Sequence, residues 1–256
     1  MSLQIGSAVS GAVDRLVSRT GGALLVSYSV LVIAIQVSMN TAIAQLYRQM
    51  GFTEAATLLP LALDIPLGVA VGSIFVAMLL STYLSIVGVR TFVADAQESF
   101  PAGALTRNVP LAVVNVLVGG VVYGLAVFVG SLLLLVPGIF LYVVLIFMVP
   151  YIAVEDDNFV TALRKSYRLS EGNRITLFLL LVLVVTVSAV FGGIVGAGTF
   201  LLSPSLSQLV VTLVQAPTSL FSLAVISVAY SQLREGESDS GVTPGPSEDT
   251  GATTAL

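Results

Sequence analysis

The side chains with the most scope for chemistry lie in one segment, residues 155–174, with the sequence EDDNFVTALRKSYRLSEGNR. It begins with three adjacent acids, Glu155, Asp156 and Asp157, which we call the acidic triplet. It continues with four of the chain's ten basic residues, a group that could bind anions such as lipid phosphates. These four cations are Arg164, Lys165, Arg168 and Arg174.

The spacing of apolar residues predicts that residues 157–171 form an amphipathic helix. Phe159, Leu163 and Tyr167 recur on one helical face, while the cations point elsewhere. An aspartate of the acidic triplet can cap the start of this helix, and Gly172 stands where a helix-ending glycine belongs. Because long uncharged stretches flank the segment, the helix is predicted to lie in the membrane interface, with its cations level with lipid headgroups.

Two interpretations of the four cations remain open. They could fix the orientation of the protein and attract anionic lipid nonspecifically, at about 1 kcal/mol for each Lys or Arg near a charged surface. Alternatively, they form a specific site for a lipid phosphate or for a partner protein. The acidic triplet could hold a hard cation, but three acids where a span leaves the membrane are more typical of a solvated helix cap. We therefore predict no metal site.

The elements that must position this segment are membrane-spanning helices. Hydrophobic residues make up 56% of the chain and charged residues only 9%, whereas a soluble domain has about 25% charged residues. A membrane crossing needs about 20 apolar residues, and backbone polar groups in lipid must pair within a helix. The sequence predicts an all-α polytopic membrane protein, a six-transmembrane-helix bundle with cytoplasmic interfacial amphipathic helices. The predicted spans are 21–46, 65–89, 110–135, 137–154, 175–200 and 206–233.

The two ends of the chain differ from this membrane domain, residues 21–234. Apolar residues within positions 1–20 fall on one helical face, which predicts an amphipathic helix. A signal peptide is disfavoured, because the apolar run after Arg19 is too long for one. Residues 235–256 are acidic and poor in apolar side chains, which predicts a disordered cytoplasmic tail. Similar segments at 3–19, 91–107 and 157–174 suggest three helix-plus-hairpin repeats.

The distribution of basic residues predicts the orientation of the spans. Basic residues in short loops stay on the cytoplasmic side. With six spans, only Arg48 falls on the opposite side. We therefore predict a multi-pass protein of the cell membrane with both termini in the cytoplasm. The other basic residues outside the central segment are Arg15, Arg19, Arg90, Arg107 and Arg234.

Polar and small residues inside the spans form two further patterns. A polar stripe could hold helices together by hydrogen bonds, or line a path for a small solute. Its members are Gln36 and Asn40 in the first span and Gln208, Thr212, Gln215, Ser219 and Ser222 in the sixth. Pairs of glycines four residues apart are predicted to lie at helix–helix contacts. These glycines are Gly120, Gly124, Gly192 and Gly196.

The central part of the sequence resembles a known family. The residues that carry the resemblance are Pro137, Gly138, Ile139, Pro150, Val154, Glu155, Ala162, Leu163, Ser166, Leu169, Gly172, Asn173 and Arg174. This pattern is similar to the membrane domain found ahead of the catalytic domain in some bacterial glycerophosphodiester phosphodiesterases, and to stand-alone haloarchaeal membrane proteins of unknown function. Thr161 departs from it, and no catalytic domain follows. The resemblance therefore implies a fold and a location, not a reaction.

The composition argues against catalysis. The chain has no Cys and no His, which excludes disulfides, thiolate metal sites and the catalytic histidines of the phosphodiesterases that it resembles. Its net charge of −4, with one Lys among ten basic residues, is typical of a salt-loving archaeon. We predict a noncatalytic membrane module that binds lipid, in particular anionic lipid, or organises membrane partners through residues 157–171. The alternative is a small-solute transporter or channel subunit that uses the polar stripe. No cofactor and no nucleic acid partner are predicted.

Overall fold

The computed structural model describes residues 3–240, and within that range the regular structure is helical. A short 3₁₀ turn, Thr199–Leu201, joins the last two helices. The helices are α1 Ile5–Val17, α2 Arg19–Gln49, α3 Thr53–Thr57, α4 Leu67–Val93, α5 Val109–Leu133, α6 Leu135–Val144, α7 Met148–Glu155, α8 Phe159–Leu169, α9 Arg174–Gly198 and α10 Pro204–Ser240.

Six helical segments are long and apolar enough to cross a membrane, which confirms the predicted all-α polytopic bundle. Five of them are α2, α4, α5, α9 with the 3₁₀ turn that follows it, and α10. The remaining one, Leu135–Glu155, consists of α6 and α7 with a break between them. The protein is therefore a multi-pass membrane protein whose fourth apolar segment is not a continuous helix.

The centre of the bundle is formed by α2, α4 and α10, which pack on one another. Leu24 on α2, Ile86 on α4 and Leu220 on α10 are almost fully buried there. Helix α1 lies along α10, where Gly11 faces the side chain of Val228. Helix α7 packs on α4, while the α5–α6 hairpin and α9 flank this centre.

Several contacts place the basic segments at one end of the bundle. The backbone N–H of Leu3 donates to Asn173 Oδ1 at 3.1 Å, so α1 begins beside the start of α9. The N–H of Gln4 donates to Gln232 Oε1 at 3.2 Å, which puts the end of α10 at the same place. We call this the basic end, and the other end, where the α2–α4 loop lies, the distal end.

Packing is uneven along the helices. In α9 the buried residues are Leu177, Leu180, Leu181 and Val184, all in the half nearer the basic end. Residues 185–198 of the same helix are exposed or half-exposed. Helix α9 is therefore packed near the basic end and presents apolar side chains outward over its distal half.

Two predictions about the segments outside the spans are wrong. Helix α10 continues to Ser240, so residues 235–240 of the predicted tail are helical, while residues 241–256 lie outside the described part. The predicted helix-plus-hairpin repeat also lacks its second helix. Helix α4 runs on to Val93, and residues 94–108 form turns, one of them at Gly103 with φ +77°.

Candidate functional site

Glu155, the last residue of α7, ties three helices together. Its carboxylate accepts a hydrogen bond from the Tyr230 hydroxyl at 2.7 Å and pairs with Arg234 of α10 at 2.8 Å. Its other oxygen pairs with Lys165 of α8 at 2.7 Å. One carboxylate thus links α7, α8 and α10 at the basic end.

Asp156 holds two arginines, one near the end of α4 and one in the turns that follow it. Its oxygens lie 3.4 Å from Arg90 and 3.1 Å from Arg107. Arg90 is buried, with only 5% of its side chain exposed, and it also donates to the carbonyl of Ala153 at 2.6 Å. Arg107 donates to the carbonyl of Val154 at 2.6 Å. The last carbonyls of a helix lack partners within the helix and carry partial negative charge, so two cations suit the end of α7.

Lys165 belongs to this network rather than to the free cations of α8. Its ammonium lies 2.7 Å from Asp157 and 2.7 Å from Glu155. Hydrogen bonds to Asp157 and then to Glu155 raise the pKa of Lys165. The acidic triplet is therefore a hub of ion pairs, which differs from the solvated cap that the sequence predicts. Among the described residues no three His, Cys, Asp or Glu side chains are grouped so that they could hold a metal ion.

Helix α8 forms where it is predicted, but its docking face is shifted from the predicted one, of which Phe159 and Leu163 are partly buried against the core. Its buried residues are Ala162, Ser166 and Leu169. Tyr167, from the predicted apolar face, remains 39% exposed. The cap is also different, because Asn158 accepts the N–H of Thr161 at 2.9 Å while Asp156 and Asp157 are occupied by cations.

Ser166 fixes α8 against the break between α6 and α7. Its Oγ accepts the N–H of Phe147 at 3.0 Å and donates to the carbonyl of Val144 at 2.9 Å. Both backbone groups flank the break, and a buried backbone group without a partner is costly. The small side chain of Ser166 therefore completes the fourth apolar segment from a different helix.

The three remaining cations of the predicted lipid site lie apart from this network. Arg164 and Arg168 are exposed, and neither forms an ion pair with a residue that the structure describes. Arg174 is half-buried, with its guanidinium 4.8 Å from the Tyr167 ring centre and 5.2 Å from that of Phe140. Stacking on aromatic faces stabilises an arginine and holds its plane in place.

Comparison with known proteins identifies a family. The family model described as a domain of unknown function (DUF7847) matches residues 3–233. The chain belongs to this family. The matched region runs from the residues before α1 into α10, and it contains the ion-pair hub except for Arg234, which lies one residue beyond its end. No curated protein and no solved structure matches the chain.

The structure does not bring the polar stripe together. Gln36 donates to Asn40 at 3.0 Å, and Asn40 donates to the carbonyl of Pro60 at 2.7 Å, so these two residues hold the α2–α4 loop. In the sixth span Gln208 donates to Thr212 of the same helix, at 3.4 Å. Ser222 donates within its own helix, to the carbonyl of Thr218, while Gln215 and Ser219 are exposed.

The predicted glycine contacts are not found among residues 3–240. A Cβ atom placed on Gly120, Gly124, Gly192 or Gly196 would meet no other atom within 4 Å. The close contact lies one residue away, at Gly119, where a Cβ would sit 2.8 Å from Met148 Sδ and 2.9 Å from Phe159 Cβ. Spacing of four residues places glycines on one helical face, but it does not say which face meets another helix.

Proposed function

We propose that this protein is a noncatalytic membrane module that binds anionic lipid headgroups at its basic end. The observation that carries the proposal is the division of the cations there. The acidic triplet pairs with Arg90, Arg107, Lys165 and Arg234. Among the described residues it leaves the arginines on the outer face of α8 unpaired.

The chemistry of these arginines suits a phosphate group. A guanidinium binds phosphate through two parallel hydrogen bonds, which an ammonium cannot form. Arg164 and Arg168 project from a helix that Ser166 holds in position, so their Cα atoms are fixed before lipid arrives. Their attraction to an anionic membrane surface is about 1 kcal/mol each.

We also propose that the basic end faces the cytoplasm and that the protein resides in the cell membrane. The clustering of basic segments at one end supports this orientation, because such segments stay on the cytoplasmic side. A reporter fused after Arg234 and one inserted within residues 52–58 should lie on opposite sides of the membrane. Signals from the same side would overturn the proposed topology.

The likeness to the membrane domain of glycerophosphodiester phosphodiesterases, and to stand-alone haloarchaeal proteins, is proposed for the fold and not for a reaction. Residues that carry the likeness have structural roles here. Gly138 packs against Ser131, Glu155 pairs with Lys165, and Ser166 bridges the helix break. An origin in a salt-loving organism is proposed on the acidic composition.

Transport of a small solute through the polar stripe has less support. Gln36 and Asn40 use their amide groups on each other and on the α2–α4 loop. The exposed positions of Gln215 and Ser219 do not suit residues that line an internal path. The exposed arginines therefore give lipid binding the stronger claim.

The experiment uses purified full-length protein exchanged with vesicles that contain phosphatidylglycerol and phosphatidylcholine. The Arg164→Gln/Arg168→Gln variant should lower the enrichment of the anionic lipid by about fivefold for each arginine, which corresponds to about 1 kcal/mol. Arg48→Gln, which removes a cation at the distal end, is the control and should leave the enrichment unchanged. Equal enrichment in the double variant and the wild type would overturn the proposal.

A further inference from the structure

An apolar groove of about 330 Å³ lies between α6 and the start of α9. Volumes of about 300–1,000 Å³ are usual for pockets that bind small molecules. Val136, Ile139 and Phe140 line it from α6, and Ile175 and Phe178 line it from α9. Val136 is 74% exposed and Ile175 is 77% exposed, so the groove opens to the outside of the bundle.

Arg174 connects this groove to a second pocket that has charged residues in its lining. It is the one charged residue of the groove lining, and it also lines a neighbouring pocket of about 430 Å³ together with Glu171 and Gly172. An apolar groove and a pocket partly lined by charged residues therefore share one guanidinium. This arrangement matches an amphiphilic ligand, whose apolar chain would lie in the groove and whose polar group would lie beside Arg174.

The guanidinium of Arg174 retains unused hydrogen-bonding capacity. Its Nε is buried and has no hydrogen-bond partner among the described residues. Its pairing with Glu171 is long, at 3.6 Å, and 59% of the Glu171 side chain is exposed. An anionic ligand at Arg174 would compete with this carboxylate, which the solvent already weakens as a partner.

The start of α9 adds to the attraction for an anion. Asn173 precedes the helix, but its side chain accepts the N–H of Leu3 and does not cap α9. The first N–H groups of a helix lack partners within the helix and carry partial positive charge. Arg174 is the first residue of α9, so the charge of its side chain and the helix terminus act at the same place.

We propose that the groove between α6 and α9 holds one acyl chain of an anionic phospholipid whose phosphate binds Arg174. The inference rests on the proposed lipid-binding function and gives it a single defined site, separate from the exchangeable contacts of Arg164 and Arg168. Lipid tails in the membrane are as apolar as the groove, so burial alone does not select this molecule. The charge at Arg174 selects the lipid, and the groove orients it.

An apolar helix from a partner protein fits the same surface less well. It would fill the groove but bring no acceptor to the exposed part of Arg174, whose side chain is 35% exposed and has only the long pairing with Glu171. A phosphate supplies several acceptor oxygens at that point. Charge complementarity therefore favours a lipid as the occupant.

The test counts lipids that stay bound to the purified full-length protein in native mass spectrometry, after exchange with vesicles of phosphatidylglycerol and phosphatidylcholine. The wild type should retain one phosphatidylglycerol. Arg174→Gln should lose it through the charge, and Ile139→Trp should lose it by filling the groove while all cations remain. Val190→Trp, at a 56% exposed site on the same α9, is the matched control and should retain the lipid.

The outcomes separate the two proposals. Retention of the lipid in both Arg174→Gln and Ile139→Trp, or its loss in Val190→Trp as well, would overturn the groove site. The Arg164→Gln/Arg168→Gln variant should keep the single lipid while its general enrichment in anionic lipid falls. If the enrichment does not fall but Arg174→Gln still loses the single lipid, the proposed role of Arg164 and Arg168 is wrong and the groove site is retained.

A second measurement does not depend on the folding of any variant. Phosphatidylglycerol with a photoreactive group on its acyl chain should label peptides of the wild type that contain residues 136–143 or 175–178. Labelling confined to other parts of the protein would overturn the proposed site.

Discussion

The two ends of the bundle are held together in different ways. At the basic end, side chains of α4, α7, α8 and α10 meet around the acidic triplet, and Arg90 is buried among them. At the distal end, Asn40 and Arg48 of α2 hold the α2–α4 loop through Pro60 and Asp64. The basic end thus joins helices that are distant in sequence, whereas the distal contacts link a helix to the loop that follows it.

The two ends also differ in how much of α9 is buried there. In α9 the buried residues Leu177, Leu180, Leu181 and Val184 all lie in the half nearer the basic end, while residues 185–198 are exposed or half-exposed. Lipid gives little hydrophobic drive for helices to associate, so polar contacts and close packing must specify the arrangement. The comparison teaches that contacts between distant segments concentrate at the basic end, while the distal half of α9 chiefly provides apolar length.

The largest difference in stability is expected when one charge is removed from each end. Asp156→Asn leaves the buried Arg90 and the neighbouring Arg107 without their carboxylate, and it should lower the free energy of unfolding by about 3 kcal/mol. Asp64→Asn removes the partner of Arg48, but 90% of the Asp64 side chain is exposed. That change should cost less than about 1 kcal/mol. Unfolding in detergent measures both, and equal losses would refute the difference between the ends.

Packing can be tested at two adjacent glycines of α5. Gly119→Leu inserts a side chain against Met148 and Phe159, and it should destabilise the protein by about 1–3 kcal/mol. Gly120→Leu places the same side chain in open space and should leave the unfolding temperature unchanged. A loss of stability at Gly120 equal to that at Gly119 would mean that the outward face of α5 also packs.

The smallest expected effect comes from removing one hydroxyl at the basic end and one within α9. Ser166→Ala leaves the N–H of Phe147 without its acceptor and should cost about 1–2 kcal/mol. Ser188 donates to the carbonyl of Val184 in its own helix, so Ser188→Ala should cost almost nothing. Thermal unfolding of the two variants in one detergent gives the comparison. If Ser166→Ala melts with the wild type, the helix break does not depend on α8.

Much of the architecture could be predicted from the sequence, because long uncharged stretches and the apolar spacing around Leu163 are local properties. The partners of the charges could not be predicted. Lys165 pairs with Glu155, ten positions earlier, and Arg90 pairs with Asp156, which lies beyond the next two spans. Which face of α8 docks was also hidden, because Ala162 and Ser166 are small and contribute little to an apolar pattern. The one available signal was Asn158 three residues before Thr161, the spacing of a helix cap.

The looser packing of the distal half of α9 bears on how the protein fits membranes of different thickness. Helix α9 has 25 residues, or about 37 Å at 1.5 Å per residue, while a typical hydrocarbon core is about 30 Å thick. Such hydrophobic mismatch is relieved by tilting helices, and tilt is easiest where neighbours do not constrain it. The distal half of α9 can lean without disturbing the ion pairs at the other end. Tilting of this half would fit the protein to thin and thick bilayers and leave Arg164 and Arg168 unmoved at the basic end.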